Sequence, residues 1–468
     1  MKKILSFVLV ILIVAALSIG SFSEEVEDVV AKDLTQSATL FLRQGTGRSS
    51  MLRDGKLTTS SKTDEYFELS IKSDEPICGI YLLWNSDPAA WTLEDSEGGE
   101  IKGGADGYWH EYKELNGKKS YTLKWTDEAE LAELYIFGEG ALPAFVQIWD
   151  APCEKADLMV IPTHAGDEHL YFGGALSYYA QERGLAVQLV YLIKHAPERK
   201  HELLDGLWAV GIHNYPVISE FEDKDCKDLE AAKKVYSEEK ILEFMVENIR
   251  RFKPEVVLGH DLKGEDGHGA HILNATILSE KALEAANDSA LFPESEQRYG
   301  VWEVKKCYLH LYEENKIFLD WGSLVLKSFD GKSAYEISQA GFAFNSALAA
   351  KHKMTLDGEF GNGLFGLYSS TVGDDGFKND FLENIPAECL SNWVPPVNPP
   401  STDPSTNTGT DTTTDLPSSV GTEDTDLPVI KDYADIDLPE WMVKAVSIVG
   451  LISVAAIVVL IGVYFSRE

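Results

Sequence analysis

Basic residues are scarce in this chain. Its 41 Lys and Arg stand against 76 Asp and Glu, a formal net charge of −35 over 468 residues. A nucleic-acid binder needs a basic face to displace counterions from phosphates, so that class is excluded. Peripheral attachment to an anionic bilayer through a polybasic patch is excluded on the same ground. Cysteine is also sparse. Positions 78, 153, 226, 307 and 389 are widely spaced and form no Cys-x-x-Cys pair, which excludes a cysteine zinc ribbon and a thioredoxin-type site. What is plentiful is core material: 44% of residues are hydrophobic and 10% aromatic, enough to rule out wholesale disorder. At roughly 150 residues per domain the length predicts two or three domains, less whatever does not fold.

Both ends subtract from the folded part. Lys2 and Lys3 precede the uncharged run Ile4–Ile19, small residues follow, and then Glu24 and Glu25. That order predicts a signal peptide over residues 1–23. Residues 445–465 carry no charge over 21 positions, a length that as a helix spans a hydrocarbon layer of ~30 Å. A transmembrane helix is predicted there, with the body outside the cytoplasm at the cell surface and a stub inside. Between body and anchor, residues 394–440 are rich in Pro, Thr, Ser and Asp. The stretch Pro395–Asp426 alone holds 6 Pro, 9 Thr and 4 Ser, too polar to offset its ordering entropy, so a disordered stalk is predicted. An exported body permits disulfides, and Cys78–Cys153 with Cys226–Cys307 are the expected pairs.

The body divides near residue 151. Residues 34–150 carry short alternating apolar runs at 66–71, 78–84, 120–125 and 134–137, separated by Gly-rich turns. That spacing predicts an all-β sandwich. Met51–Thr59 ahead of those strands resembles the start of a discoidin or galactose-binding-like jelly roll, which implies carbohydrate binding; a structural spacer is the competing expectation. Trp91 and Trp109 fall in loop-like positions and are candidates for stacking on sugar rings.

Residues 152–392 alternate strand and helix. Asp157–Pro162, Leu185–Ile193 and Glu255–Gly259 are short apolar strands, and helices are predicted over Glu168–Gly184, Ser237–Phe252 and from about Ala270. The expected fold is α/β: a Rossmann-like parallel sheet with helices on both faces. Ligands in such sheets sit beyond the carboxyl ends of the strands. Two His-rich loops fall at those ends, Thr163–His169 and Gly264–His271. His164 and Asp167, three residues apart on one turn, can both face a metal, and a distant His such as His268 or His271 can complete a set of three N/O ligands with a position left for water, as in a catalytic zinc site. His169 and His268 lie in the same windows.

These residues resemble the N-acetylglucosaminyl-phosphatidylinositol de-N-acetylase family (PIG-L-like, also called LmbE-like), whose signature is a strand followed by His-Pro-Asp-Asp-Glu and a later Gly-His-x-x-His loop. Here the first motif stands as His164-Ala165-Gly166-Asp167-Glu168 and the second as Gly267-His268-Gly269-Ala270-His271. The resemblance implies Zn2+ on His164, Asp167 and His271, oxyanion stabilisation by His268, and substrate contact by Arg199, which pairs with Glu202 in an Arg-x-x-Glu pattern. It implies a de-N-acetylase of N-acetylated sugars or glycoconjugates. The departures are specific. Gly166 replaces the Asp that serves as general base, and Phe344-Asn345-Ser346-Ala347 replaces a His-x-Ser-Gln stretch. Losing general-base catalysis costs roughly 100- to 10,000-fold. Glu265 and Asp266 are candidate substitutes, and Gly166→Asp is expected to restore the acceptor unless the backbone needs a positive φ there. The competing expectation is a catalytically impaired relative acting as a glycan-binding surface protein.

Overall fold

A computed structural model describes residues 29–394, apart from Asp64 and residues 359–360. The predicted signal peptide, nearly all of the stalk and the predicted transmembrane helix lie outside the described residues. Among the described residues no helix is long and apolar enough to cross a membrane.

The first domain is antiparallel β throughout. Its strands are β1 (Thr39–Gln44), β2 (Ser61–Thr63), β3 (Phe67–Trp84), β4 (Trp91–Asp95), β5 (Glu100–Gly103), β6 (His110–Trp125) and β7 (Ala129–Phe137). They pair in the order β2-β7-β3-β6-β4-β5, with β1 on the far half of β3. The apolar runs at 66–71 and 78–84, expected as two strands, are the two ends of β3. They are joined by a register shift between Lys72 and Gly79. An irregularity of that kind bends a strand without ending it, so turn-like residues such as Pro76 do not mark a boundary. Phe67, Leu69, Ile80, Leu82, Leu123 and Leu134 meet in one core. Trp91 and Trp109 are part of the interior, at 1% and 6% exposure, with their indole N–H groups donated to Glu111 and Asp87. Neither is open to stack on a sugar.

The second domain is wound on a seven-stranded sheet. In chain order its strands are β8 (Leu158–Val160), β9 (Val187–Tyr191), β10 (Val217–Ile218), β11 (Val256–Gly259), β12 (Lys306–His310) and β13 (Lys316–Phe318). A two-strand ribbon of β14 (Val325–Leu326) and β15 (Lys332–Ser333) stands apart, and β16 (Leu364–Ser370) rejoins the sheet. The order is β10-β9-β8-β11-β12-β16-β13. The first five are mutually parallel, β16 runs antiparallel to them, and β13 at the edge is antiparallel to β16, so the sheet is mixed. Alternation along each strand feeds two separate cores. Leu158, Val160 and Leu258 face one, while Met159, Ile161 and Val257 face the other. That division is what burying both faces of a parallel sheet requires.

The helices follow their end signals. They are α1 (Asp167–Leu170), α2 (Pro197–Ala209), α3 (Leu229–Val235), α4 (Glu238–Phe252), α5 (Gly269–Ile277), α6 (Leu283–Asn287), α7 (Pro293–Tyr299), α8 (Ala334–Phe342) and α9 (Ser346–Ala349). Ser237 caps α4 by accepting from the Lys240 N–H, with Glu238 and Glu239 in the first turn and Arg250 and Arg251 in the last. The helix expected over 168–184 is broken. It forms as α1, is interrupted by turns at Tyr171–Gly174, and resumes at residues 175–182, where Ser177–Glu182 is a π-helix. Gly173 has φ +55° and lies against Trp321, so the chain cannot continue as a helix there.

All five cysteines are free, which corrects the expected pairing. Cys78 belongs to β3 of the first domain and Cys153 to a core of the second. Cys307 is buried in the middle of β12, and Cys226 lies beside the start of α5.

Candidate metal centre

The chain leaves β8 in one direction along the sheet, through β9 to β10, and then returns to the other side at β11. The switch point is therefore the crevice between the carboxyl ends of β8 and β11. His164 and Asp167 follow β8, and His268 and His271 follow β11. The structure brings three of them together: one ligand atom each from His164, Asp167 and His271 lies within 4.8 Å of the others. His271 Nε2 is 2.9 Å from Asp167 Oδ2 and 3.3 Å from His164 Nδ1, and His164 Nδ1 is 3.7 Å from Asp167 Oδ2. Ligands of a tetrahedral ion with bonds of about 2.0–2.1 Å stand roughly 3.3 Å apart, so the spacing suits one small divalent cation.

The far side of each ring fixes its orientation. His271 Nδ1 donates to the Glu265 carbonyl at 3.2 Å, which leaves the Nε2 lone pair facing Asp167. His164 Nε2 lies 3.4 Å from Asp223 Oδ1, which turns its Nδ1 inward. Asp167 is held by the backbone N–H groups of Thr163 and His164. Beneath it, His260 Nε2 accepts the Thr163 N–H while its Nδ1 meets Glu265. Burial disfavours the Asp167 anion, but His271, His164 and His260 outweigh it and hold the carboxyl well below its usual range. Burial likewise opposes a charge on His164, yet Asp167 and Asp223 carry it up to about 9. Without a cation, then, a proton occupies this cluster. The donor set fits a divalent metal, whose binding displaces that proton.

His268 stands at the rim, its ring 5.2 Å from that of His164 and 5.4 Å from that of His271. As the cap of α5 its Nδ1 accepts the Ala270 N–H, so the neutral ring carries its hydrogen on Nε2 and is a donor. Gly269 is required behind it, because a Cβ there would lie 2.3 Å from the Asp228 carbonyl. Arg199 reaches the cavity from α2. It donates to Glu202 at 2.7 Å and to the Ala165 carbonyl at 2.8 Å, leaving further guanidinium N–H groups unused by these bonds. His169 is not part of the cluster; it is fully buried between Gly206 and Gly341.

Gly166 has φ +100° and ψ −22°, and a Cβ on it would lie 2.6 Å from Leu348 Cδ2 and 3.2 Å from Asn345 Cγ. A side chain there meets the α9 wall, so the expectation that an Asp would supply an acceptor to the site is corrected. Glu265 is also unsuited to that role. It is fully buried between His260 and His310, which outweigh burial and hold its carboxyl far below its ordinary range. The Asp266 side chain lies outside the described residues.

The cluster opens into a cavity of about 560 Å³ whose far wall is Leu348, Lys351 and His352 and whose rim includes Lys194, His195 and Asp223. Sequence reasoning missed Asp223 and His260. Both stand beyond the carboxyl ends of parallel strands, β10 and β11, so the positional rule that selected His164 applied to them as well.

Fold and site thus define a doubly wound α/β domain with a candidate metal centre at its switch point, behind an antiparallel β domain. No family model matches the chain, and no curated protein does. Among solved structures it is similar to a conserved protein from Thermus thermophilus, at 17% identity over 40% of this chain and 79% of that one, TM-score 0.29. It is also similar to the N,N'-diacetylchitobiose deacetylase from Pyrococcus horikoshii, at 12% identity over 43% and 75%, TM-score 0.33. A third similarity is to a pectin-binding carbohydrate-binding module, at 14% identity over 22% of this chain and 93% of that one, TM-score 0.18. At TM-scores this low the likenesses establish neither family nor activity.

Proposed function

We propose that the chain is a zinc-dependent de-N-acetylase of N-acetylated sugars or glycoconjugates, held at the cell surface by residues 445–465. The observation that carries this reading is the convergence of His164, Asp167 and His271 at the switch point with the donor His268 beside them. A zinc ion on those three residues would polarise an acetamide carbonyl and make a water more acidic. His268 Nε2–H donates to the carbonyl oxygen as it gains negative charge. Arg199 positions the sugar through its unused N–H groups. The attacking water needs a proton acceptor, and Gly166 offers none. Of the carboxylates lining the cavity, Asp167 belongs to the metal set and Glu265 is enclosed by histidines, which leaves Asp223, whose side chain is 62% exposed. Asp223 lies against the outer nitrogen of His164, away from the metal position, so it is assigned that proton on turning from His164 into the cavity.

The competing reading, a glycan-binding relative without turnover, is favoured by the glycine at 166. Acetate release from a panel of N-acetylglucosamine compounds, measured on the zinc-loaded chain, separates the two. Turnover is expected, falling by about 100-fold or more in Asp223→Asn at equal zinc content. Bound sugar with no acetate from any compound would leave the glycan-binding reading. Undiminished turnover in Asp223→Asn would remove only the role of Asp223.

A further inference from the structure

Helix α2 presents Arg199 to the cavity, and His201, Asp205 and Trp208 to the first domain. Spacings of four and three residues put the latter three on one face. There His201 is 1% exposed, and its Nδ1 lies 2.7 Å from Nε2 of His110 on β6. His110 Nδ1 lies 2.7 Å from Gln147 Oε1, and His201 Nε2 lies 3.0 Å from Asn85 Oδ1. Both outer groups are fixed as acceptors. Gln147 Oε1 also takes the Trp149 indole N–H while its Nε2 donates to Asp205, and Asn85 Nδ2 donates to the Leu57 carbonyl. Turning either amide over would break those bonds.

The chain of contacts therefore runs acceptor, ring, ring, acceptor. The outer contacts need N–H on His110 Nδ1 and on His201 Nε2, and the middle one needs an N–H on either facing nitrogen. Two neutral imidazoles hold one proton too few for this. With both neutral, an outer bond is lost or two lone pairs face each other at 2.7 Å. We propose that His110 and His201 share one extra proton as a single cationic pair, and that this pair is the positioning device through which the first domain holds the helix bearing Arg199.

The surrounding groups set the balance. Asp205, with Oδ1 3.8 Å from His110 Nδ1, supplies the counter-charge above about pH 6, the value to which burial raises its carboxyl. Lys200 is the opposing cation, drawn aside by the Trp109 face at 4.0 Å and by Asp87 at 3.6 Å. Tyr81 packs edge-on against His110 and Trp109 against His201. Burial, with Lys200 behind it, works against charge on both rings, so the cation depends on Asp205 and the two amide oxygens staying in place. From the pair the connection is short. Two residues back along α2, Arg199 donates to the carbonyl of Ala165, the neighbour of His164.

The consequence for substrate rests on the deacetylase reading; the proton count does not. Nitrogen-15 NMR of the full chain with labelled histidine tests the pair directly. One imidazolium pattern shared by two rings is expected at pH 6.5, absent from His201→Gln and from His110→Gln. Two neutral rings in the wild type would overturn the pair. Asp205→Asn keeps an acceptor for Gln147 and removes the counter-charge, so the pair should lose its proton about one pH unit lower. An unmoved midpoint would overturn the assignment, and this variant serves if the histidine variants fail to fold. Hydrogen exchange tests positioning. Amides of 197–209 should exchange about 10-fold faster in His201→Gln while β3 and β6 stay protected. KM for the acetylated sugar should rise about 10-fold with kcat within about twofold. Unchanged exchange in α2 overturns positioning whether or not a substrate is found. Faster exchange with no turnover in either form upholds positioning and fails the deacetylase reading alone.

Discussion

Gly166 is set by its backbone: its φ of +100° and the Leu348 and Asn345 wall explain the glycine by geometry alone. Gly166→Asp should therefore gain no activity; it should strain the loop by roughly 1–3 kcal/mol and weaken metal binding at the adjacent Asp167. Zinc content and thermal unfolding of the variant check this, and a rise in acetate release at full zinc would contradict it. Glu133 on β7 carries a second residue-level prediction. It is 1% exposed, with Oε1 accepting the Lys56 N–H and Oε2 without a partner among the described residues. Burial pushes its carboxyl up to about 7, with the Lys56 N–H opposing and Asp54 adding to the rise. The folded chain then holds a proton that the unfolded chain loses near pH 4.3, so stability present below that pH is lost as pH rises toward 7. Glu133→Gln should be more stable than the wild type at pH 8 by on the order of 1–2 kcal/mol and lose that advantage at pH 5. Urea unfolding of both proteins at the two pH values measures it. An equal difference at both would show that Glu133 is ionised when folded.

Among elements, the legible ones were those whose pattern is local. The apolar strands β8, β9 and β11 and the capped helix α4 stand where hydrophobic runs and Ser237 put them. Illegible were the bend inside β3, which only its partner β6 reveals, and the break after α1, which depends on Gly173 meeting Trp321. The candidate ligands that the structure brings together could be singled out because His164, Asp167 and His271 sit in short motifs next to strand ends. Asp223 and His260 have no motif, and their roles come from the fold. Helix α4 offers a test of another long-range dependence. The guanidinium of Arg250, fully buried, donates to the carbonyls of Ala285, Ala286, Asp288, Leu291 and Phe292 and to Ser295 Oγ. These carbonyls lie at the end of α6 and in the loop that enters α7. Arg250→Lys keeps the charge but not the planar fork, and should cost roughly 2–4 kcal/mol in denaturant unfolding. A loss under ~0.5 kcal/mol would mean that water satisfies those carbonyls equally well.

For the whole molecule, the two described domains are not independent beads. Trp109 of the first lies in the core of the second, and α2 touches the β domain on one face and the cavity on the other. A domain expected from its strand spacing as a carbohydrate module or a spacer is thus packed into the frame of the site. The central claim is that the site is a metal centre, and the direct measurement is zinc titration of the metal-stripped full chain by calorimetry, beside His271→Ala. One ion per wild-type chain is expected, with affinity at least about 100-fold weaker in the variant while the β domain keeps its fold. Equal stoichiometry and affinity in the two proteins would show that His164, Asp167 and His271 hold no metal.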